Sequence, residues 1–269
     1  MSRWQRKTGF PGGPEAYSLS WLGQAGFLLR VGTKAFLIDP YLSDALAEKY
    51  RGTATPHERV VPAPLRVEDL PALTAVFCTH RHSDHLDAPT LRQIAAQEPG
   101  CRFVVSRAEK DFAVGLGLPA DRIDGVNAGE TISLAGIEVD VIASAHETRE
   151  CNAEGAQRFL GYIFRLPGST VYHSGDTVCY DGLAETLAAR PVDLALLPVN
   201  GRGKGVPGNL NFYEAAQLCR DANIPQLVPH HFGMFAFNTV DPTALARDCA
   251  ETTDVECLVP DFCSRFTLC

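Results

Sequence analysis

An apolar run at residues 75–78 opens directly into His80, His82, Asp84 and His85, four metal-ligand side chains within six positions. Core packing has no use for three imidazoles and a carboxylate at that density, because buried polar atoms need partners. Bound cations would satisfy them. The alternation lets His80 and His82 present two imidazoles to one ion, while Asp84 and His85 can serve a second beside it. Imidazole with carboxylate suits zinc, manganese or iron better than magnesium or calcium, which prefer oxygen alone. The demand on the fold is severe, since other segments must bring further ligands to the same place.

Three more β-type runs end in the same manner. Residues 137–143 lead to His146, 169–173 to Asp176, and 226–228 to His230 and His231. Side chains just beyond strand C-termini meet along one sheet edge, where open α/β folds collect their ligands. Seven of the eight histidines fall in or beside these four places, and only His57 lies apart, in a proline-bearing loop. Read singly, His146 is as readily a core histidine, and Asp176, after Ser174 and Gly175, as readily a turn or helix cap. His230 and His231 are adjacent, so on a continuing strand they face opposite sides. One is then a candidate ligand and the other a neighbour.

The rest of the chain reads as strands interleaved with helices. Residues 1–16 hold glycines and prolines and are expected to be an irregular arm, followed by one domain over 17–269. Short β-type runs at 17–22, 27–31 and 35–38, separated by glycine-bearing turns, predict an antiparallel meander. Residues 43–72 carry Pro56, Pro62, Pro64 and Pro71 and must be largely loop, with room for a short helix at 42–50. Strands are then expected at 75–78, 102–106, 137–143, 159–166, 169–173, 194–197 and 226–228. Helices are expected at 89–97, 108–116, 182–189, 212–221 and 242–251. Pro167 and Gly168 signal a hairpin between two of the strands. The class is α/β, a layered sandwich.

A length of 269 residues lies within the roughly 250 to 300 at which single cores stop growing, so one domain is the simplest reading. No apolar stretch approaches the ~20 residues of a membrane span. Residues 1–7 lack the apolar core of a secretory signal, which makes the cytoplasm the expected compartment and no membrane the expected partner. Nine cysteines without a Cys-x-x-Cys pair read as reduced thiols in a core. A net charge of −8 opposes a grip on a phosphate backbone, so nucleic acid is not an expected partner. The expected partner is a small molecule; a homo-oligomer is compatible with this composition.

The run at 79–85 resembles the signature of the metallo-β-lactamase superfamily, His-x-His-x-Asp-His after a strand. The later segments agree: Ala145 and His146; Tyr172, His173, Ser174, Gly175 and Asp176; and Val228, Pro229, His230 and His231. Upstream, Trp21, Leu22, Gly23, Gln24, Ala25, Gly26 and Leu37, Ile38, Asp39, Pro40 resemble the family's opening strands. The resemblance runs from about Ser20 to Pro242 and implies a four-layer αββα sandwich. Within the superfamily the chain is most similar to the L-ascorbate-6-phosphate lactonase group. It departs from that group in a shorter stretch between Pro40 and His80 and in carrying His146.

Carried over by position, the resemblance gives His80, His82 and His146 to one divalent ion and Asp84, His85 and His231 to another, with Asp176 between them. His231 is chosen because the family ligand comes two residues after the proline, here Pro229. Asp39 and His173 are expected behind the ligands, orienting them. Paired ions share a water and lower its pKa from 15.7 towards ~7, so the implied activity is hydrolysis by a bridging hydroxide, with Asp84, Asp176 and His230 in the catalytic set. Zinc or manganese is expected, and iron is compatible. The leading substrate reading is a lactone or related ester of a small anionic, sugar-phosphate-like compound. Asn200, Arg202 and Lys204, in a glycine-rich loop, are its candidate contacts. A phosphodiesterase of the same superfamily is the alternative. A non-hydrolytic metal-binding or redox protein is a second, opposed by His82 and Asp84, since di-iron redox relatives carry a glutamate in the signature.

Overall fold

β-Branched and aromatic runs of the first half pair into one sheet in the computed structural model, which describes residues 3–8, 17–202, 208–251, 254–261 and 264–268. The strands are β1 (Trp4–Thr8), β2 (Tyr17–Gly23), β3 (Gly26–Val31), β4 (Lys34–Ile38), β5 (Ala75–Phe77), β6 (Arg102–Ser106) and β7 (Ile123–Val126). A second, seven-stranded sheet holds β8 (Thr131–Leu134), β9 (Ile137–Ala143), β10 (Leu160–Leu166), β11 (Ser169–His173), β12 (Leu194–Pro198), β13 (Gln226–His230) and β14 (Glu256–Cys257). The last strand, β15 (Ser264–Leu268), returns to the first sheet between β1 and β2. In the first sheet β2, β3 and β4 form the expected antiparallel meander, and β4 to β7 run parallel. In the second, β11, β12, β13 and β14 are parallel, while β9 and β11 both oppose β10 and so share one direction.

The two sheets face each other across Trp21, Phe27, Phe36 and Phe77 on one side and Tyr162 and Phe164 on the other, all in one buried cluster. α2 (Ala88–Gln97) and α3 (Lys110–Gly115) cover the outer face of the first sheet, where Leu91 and Ile94 pack on Val76 and Phe103. α4 (Leu183–Ala188), α5 (Phe212–Asp221) and α6 (Pro242–Glu251) lie on the second sheet, with Ala215, Leu218 and Leu245 in its core. Central strands are buried on both faces, which is why they read as continuous apolar runs. This is the αββα layering expected. α1 (Ala45–Lys49) is the short helix in the prolyl connection between β4 and β5.

Four differences from the sequence reading have physical causes. The irregular arm is corrected in part, because Trp4–Thr8 pairs with β15 and buries Trp4 completely. Its Lys and Arg side chains hide the strand in a single-sequence pattern. β7, β8, β14 and β15 went unforeseen because they are short and, in β7, β8 and β14, partly exposed. The strand expected at 226–228 continues through Pro229 to His230. Cys249 and Cys257 are joined in a disulfide with Cα atoms 5.5 Å apart, against the expectation of reduced thiols throughout. Among the described residues, no helix is long and apolar enough to cross a membrane.

Candidate metal centre

The C-terminal ends of β5, β9, β11 and β13 deliver the ligand-type residues to one place. After β5 the chain turns sharply, with His85 N and Leu86 N both donating to the His82 carbonyl at 2.9 and 2.8 Å. Asp176 arrives through Gly175, whose φ of +62° and contact with Thr79 leave no room for a side chain: a Cβ there would lie 2.7 Å from the Thr79 Cβ. His231 leaves β13 at φ 62°, a left-handed value that turns its ring out of strand alternation and towards Asp84 and Asp176.

Asp176 lies at the centre, and its two oxygens face different histidines. Oδ1 is 3.3 Å from His85 Nε2 and 3.3 Å from His231 Nε2. Oδ2 is 3.7 Å from His146 Nε2 and 4.0 Å from His80 Nε2. Asp84 Oδ2 lies 3.6 Å from His231 Nε2 and 3.8 Å from His85 Nε2. His82 joins His146 and Asp176 in a group whose ligand atoms are all within 4.8 Å of one another. Nitrogen and oxygen ligands about 2.0 to 2.2 Å from a tetrahedral ion stand roughly 3.3 to 3.6 Å apart, so the spacing fits divalent cations. His80 Nε2, His85 Nε2 and Asp176 Oδ1 are buried without a hydrogen-bond partner, a costly arrangement that bound cations resolve.

The rear nitrogens of the same rings are engaged. His85 Nδ1 donates to Asp39 Oδ2 at 2.7 Å, and His146 Nδ1 donates to the Gly208 carbonyl at 2.9 Å. His80 Nδ1 contacts the Thr79 hydroxyl at 3.0 Å. Each contact turns Nε2 forward, the tautomer a ligand needs. Burial, with the neighbouring His85 and His82, holds His80 well below the ordinary histidine range. Burial alone would lower His85 and His231 as well, but the Asp176 carboxylate pushes both upward.

Asp39 and His173 lie behind this group, both fully buried. His173 Nε2 donates to the Ala25 carbonyl and its Nδ1 accepts from Gly175 N at 3.0 Å, which fastens the turn that carries Asp176. Gln24 was missed. It is buried at φ 50°, its Nε2 donates to Asp84 Oδ2 at 2.8 Å, and its carbonyl accepts from His231 N at 2.9 Å. A glutamine between two glycine-flanked strands was the available signal.

A cavity of about 360 Å³ opens on the centre, with His82, Asp84, His146, Asp176 and His231 in its wall. The expected catalytic role of His230 is corrected, because its ring is fully buried and stacks on His173 at 4.9 Å, away from this cavity. Strand alternation sends it into the core. Arg202 is also corrected as a substrate contact: its guanidinium is bound to Glu214 at 2.7 and 2.9 Å and does not line the cavity. Asn200 stands one layer behind the wall, bonded to Asn209 and Asn238, which do line it. Lys204 lies outside the described residues.

Comparison with known proteins agrees with this geometry. A family model described as "Beta-lactamase superfamily domain" matches residues 34–232. The chain is 29% identical over 238 residues to a "UPF0173 metal-dependent hydrolase" of Myxococcus xanthus (strain DK1622), covering 86% of this chain and 75% of that protein. It is 25% identical over 203 residues to the "Probable L-ascorbate-6-phosphate lactonase UlaG" of Escherichia fergusonii, covering 70% of this chain and 56% of that protein. Among solved structures, an isothiocyanate hydrolase from Delia radicum gut bacteria superposes with a TM-score of 0.74 at 19% identity, over 92% of this chain and 98% of the other.

Proposed function

This chain belongs to the β-lactamase superfamily domain family and is a metal-dependent hydrolase, and from that premise we propose that it opens a lactone or cleaves a related ester of a small anionic compound. Two divalent ions, zinc or manganese, would be held by His80, His82 and His146 and by Asp84, His85 and His231. The observation that carries this reading is Asp176, whose two oxygens face separate histidine sets. Bound there, the ions supply a water of lowered pKa and a Lewis acid for the substrate carbonyl.

The chain's own groups do the orienting. Asp39 and the Gly208 carbonyl hold the His85 and His146 rings with Nε2 forward. Gln24 occupies one Asp84 oxygen and so fixes the carboxylate's direction. The cavity is of the size that takes a small molecule. Lys49 and Arg81, the latter 3.8 Å from Glu109, are cations of its wall and stand in place of Arg202 as the groups to meet an anionic substrate. The relative named as a probable lactonase supports the ester part of the reading.

The test is turnover by zinc- or manganese-loaded protein on lactones, thioesters and bis(4-nitrophenyl) phosphate, with ion content measured alongside. Lactones should be the best substrates. Asp176→Ala should lose at least one ion and about two powers of ten or more in kcat/KM while keeping its far-ultraviolet circular dichroism. Preference for the phosphodiester would overturn the ester reading. Full activity and two tightly held ions in Asp176→Ala would overturn the bridging role.

A further inference from the structure

His57, the histidine set apart in the sequence, lies in the wall of the same cavity. Three aromatic rings fix it: Tyr50 stacks on it at 4.0 Å, and Phe237 and Phe235 meet it edge-on at 4.6 and 5.2 Å. Its Nδ1 lies 2.8 Å from the Thr55 carbonyl. A carbonyl only accepts, so Nδ1 carries the hydrogen and the neutral ring presents a lone pair at Nε2. No protein group among the described residues bonds that nitrogen. Partial burial lowers the pKa of the ring and favours this neutral form.

We propose that His57 is a specificity-determining residue, whose Nε2 accepts a hydrogen bond from a hydroxyl on the substrate while the acyl end lies at Asp84, Asp176 and His231. The inference rests on the hydrolase reading and narrows it to hydroxylated lactones and the hydroxy acids they release. Packing alone would be met by a phenylalanine among Tyr50, Phe235 and Phe237. The imidazole adds a rigid acceptor whose direction is set by the Thr55 contact, and an acceptor held this way selects a donor. Asn209 and Asn238, bonded through Asn200, extend the polar wall that such a ligand would meet.

The experiment separates this from the lactonase reading by measuring binding. Zinc-loaded wild type, His57→Phe and His57→Gln are titrated calorimetrically with D-gluconate and with hexanoate, a chain of equal length without hydroxyls, and zinc content is rechecked afterwards. Wild type should bind gluconate more tightly than hexanoate. His57→Phe, which keeps the aromatic packing, should weaken gluconate about five- to ten-fold and leave hexanoate within two-fold. His57→Gln should recover part of the loss. Equal weakening of both carboxylates, or no preference for gluconate in the wild type, would overturn the proposal. Ring opening of glucono-δ-lactone is scored separately: its absence would remove the lactonase reading while the binding result still decides the role of His57.

Discussion

Asp39 is fully buried at φ 44° and accepts three hydrogen bonds, from Thr79 N at 2.8 Å, the Thr79 hydroxyl at 2.7 Å and His85 Nδ1 at 2.7 Å. A carboxylate can accept all three, whereas an asparagine amide must turn an N–H towards one of these donors. Asp39→Asn should therefore loosen the His85 ring and weaken metal affinity about 10- to 100-fold, read by competition with a chromophoric chelator. Unchanged affinity would show that His85 is oriented by packing alone. At this scale the sequence was legible where chemistry is local. The density of His80, His82, Asp84 and His85 admits few uses, whereas the residues alone left His230 and His231 open and only the family resemblance at Pro229 chose between them. It was illegible where a partner is chosen by folding. Arg202 reads as a free cation in a glycine-rich loop, yet α5 places Glu214 against it, with Asn211 and Glu214 closing a capping box on the same turn. The role of Gln24 likewise depends on Asp84, a residue 60 positions away.

The connection from β4 to β5 is more than a linker, because its residues Leu46, Lys49, Tyr50 and His57 form the outer wall of the cavity. Four prolines foretold a loop but not where it would rest. Its clamp is Arg59, whose side chain is almost fully buried. The guanidinium donates to the Tyr41 and Ser43 carbonyls, contacts Met234 Sδ and lies 4.5 Å from the centre of the Tyr41 ring. Beside it, Val60 N donates to the Met234 carbonyl at 2.9 Å. The partner segment lies some 175 positions downstream, beyond any local pattern. Hydrogen bonds to a charged group are worth about 1.5 to 3 kcal/mol each, so Arg59→Ala should raise the open population of this segment at least ten-fold. Limited trypsin digestion is the check, with faster cleavage after Lys49 or Arg51 and unchanged metal content expected. Cleavage at the wild-type rate would mean that the aromatic cluster of Tyr41, Tyr50 and Phe235 holds the wall without the arginine.

Convergence of the ligands requires both sheets to keep a fixed distance, since His80 to His85 follow the first sheet while His146, Asp176 and His231 follow the second. The inter-sheet core supplies most of that rigidity, and β1 adds a polar tie across it. Trp4 is buried completely; its Nε1 donates to the Ser169 hydroxyl of β11 at 2.9 Å, and its backbone exchanges hydrogen bonds with the Gln226 side chain of β13 at 2.9 and 3.0 Å. A strand of the first sheet is thereby fastened to two strands of the second. Removing a buried tryptophan side chain costs about 3 to 5 kcal/mol. At roughly 2 to 4 °C per kcal/mol for a chain of this size, Trp4→Ala should lower Tm by about 10 °C, and Trp4→Phe, which keeps most of the apolar bulk, by less than half as much. A change under about 2 °C in Trp4→Ala would show that β1 rests on the sandwich without supporting it. A large loss in both variants would show that apolar bulk alone does not hold β1, and that the full indole with its N–H bond to Ser169 is needed.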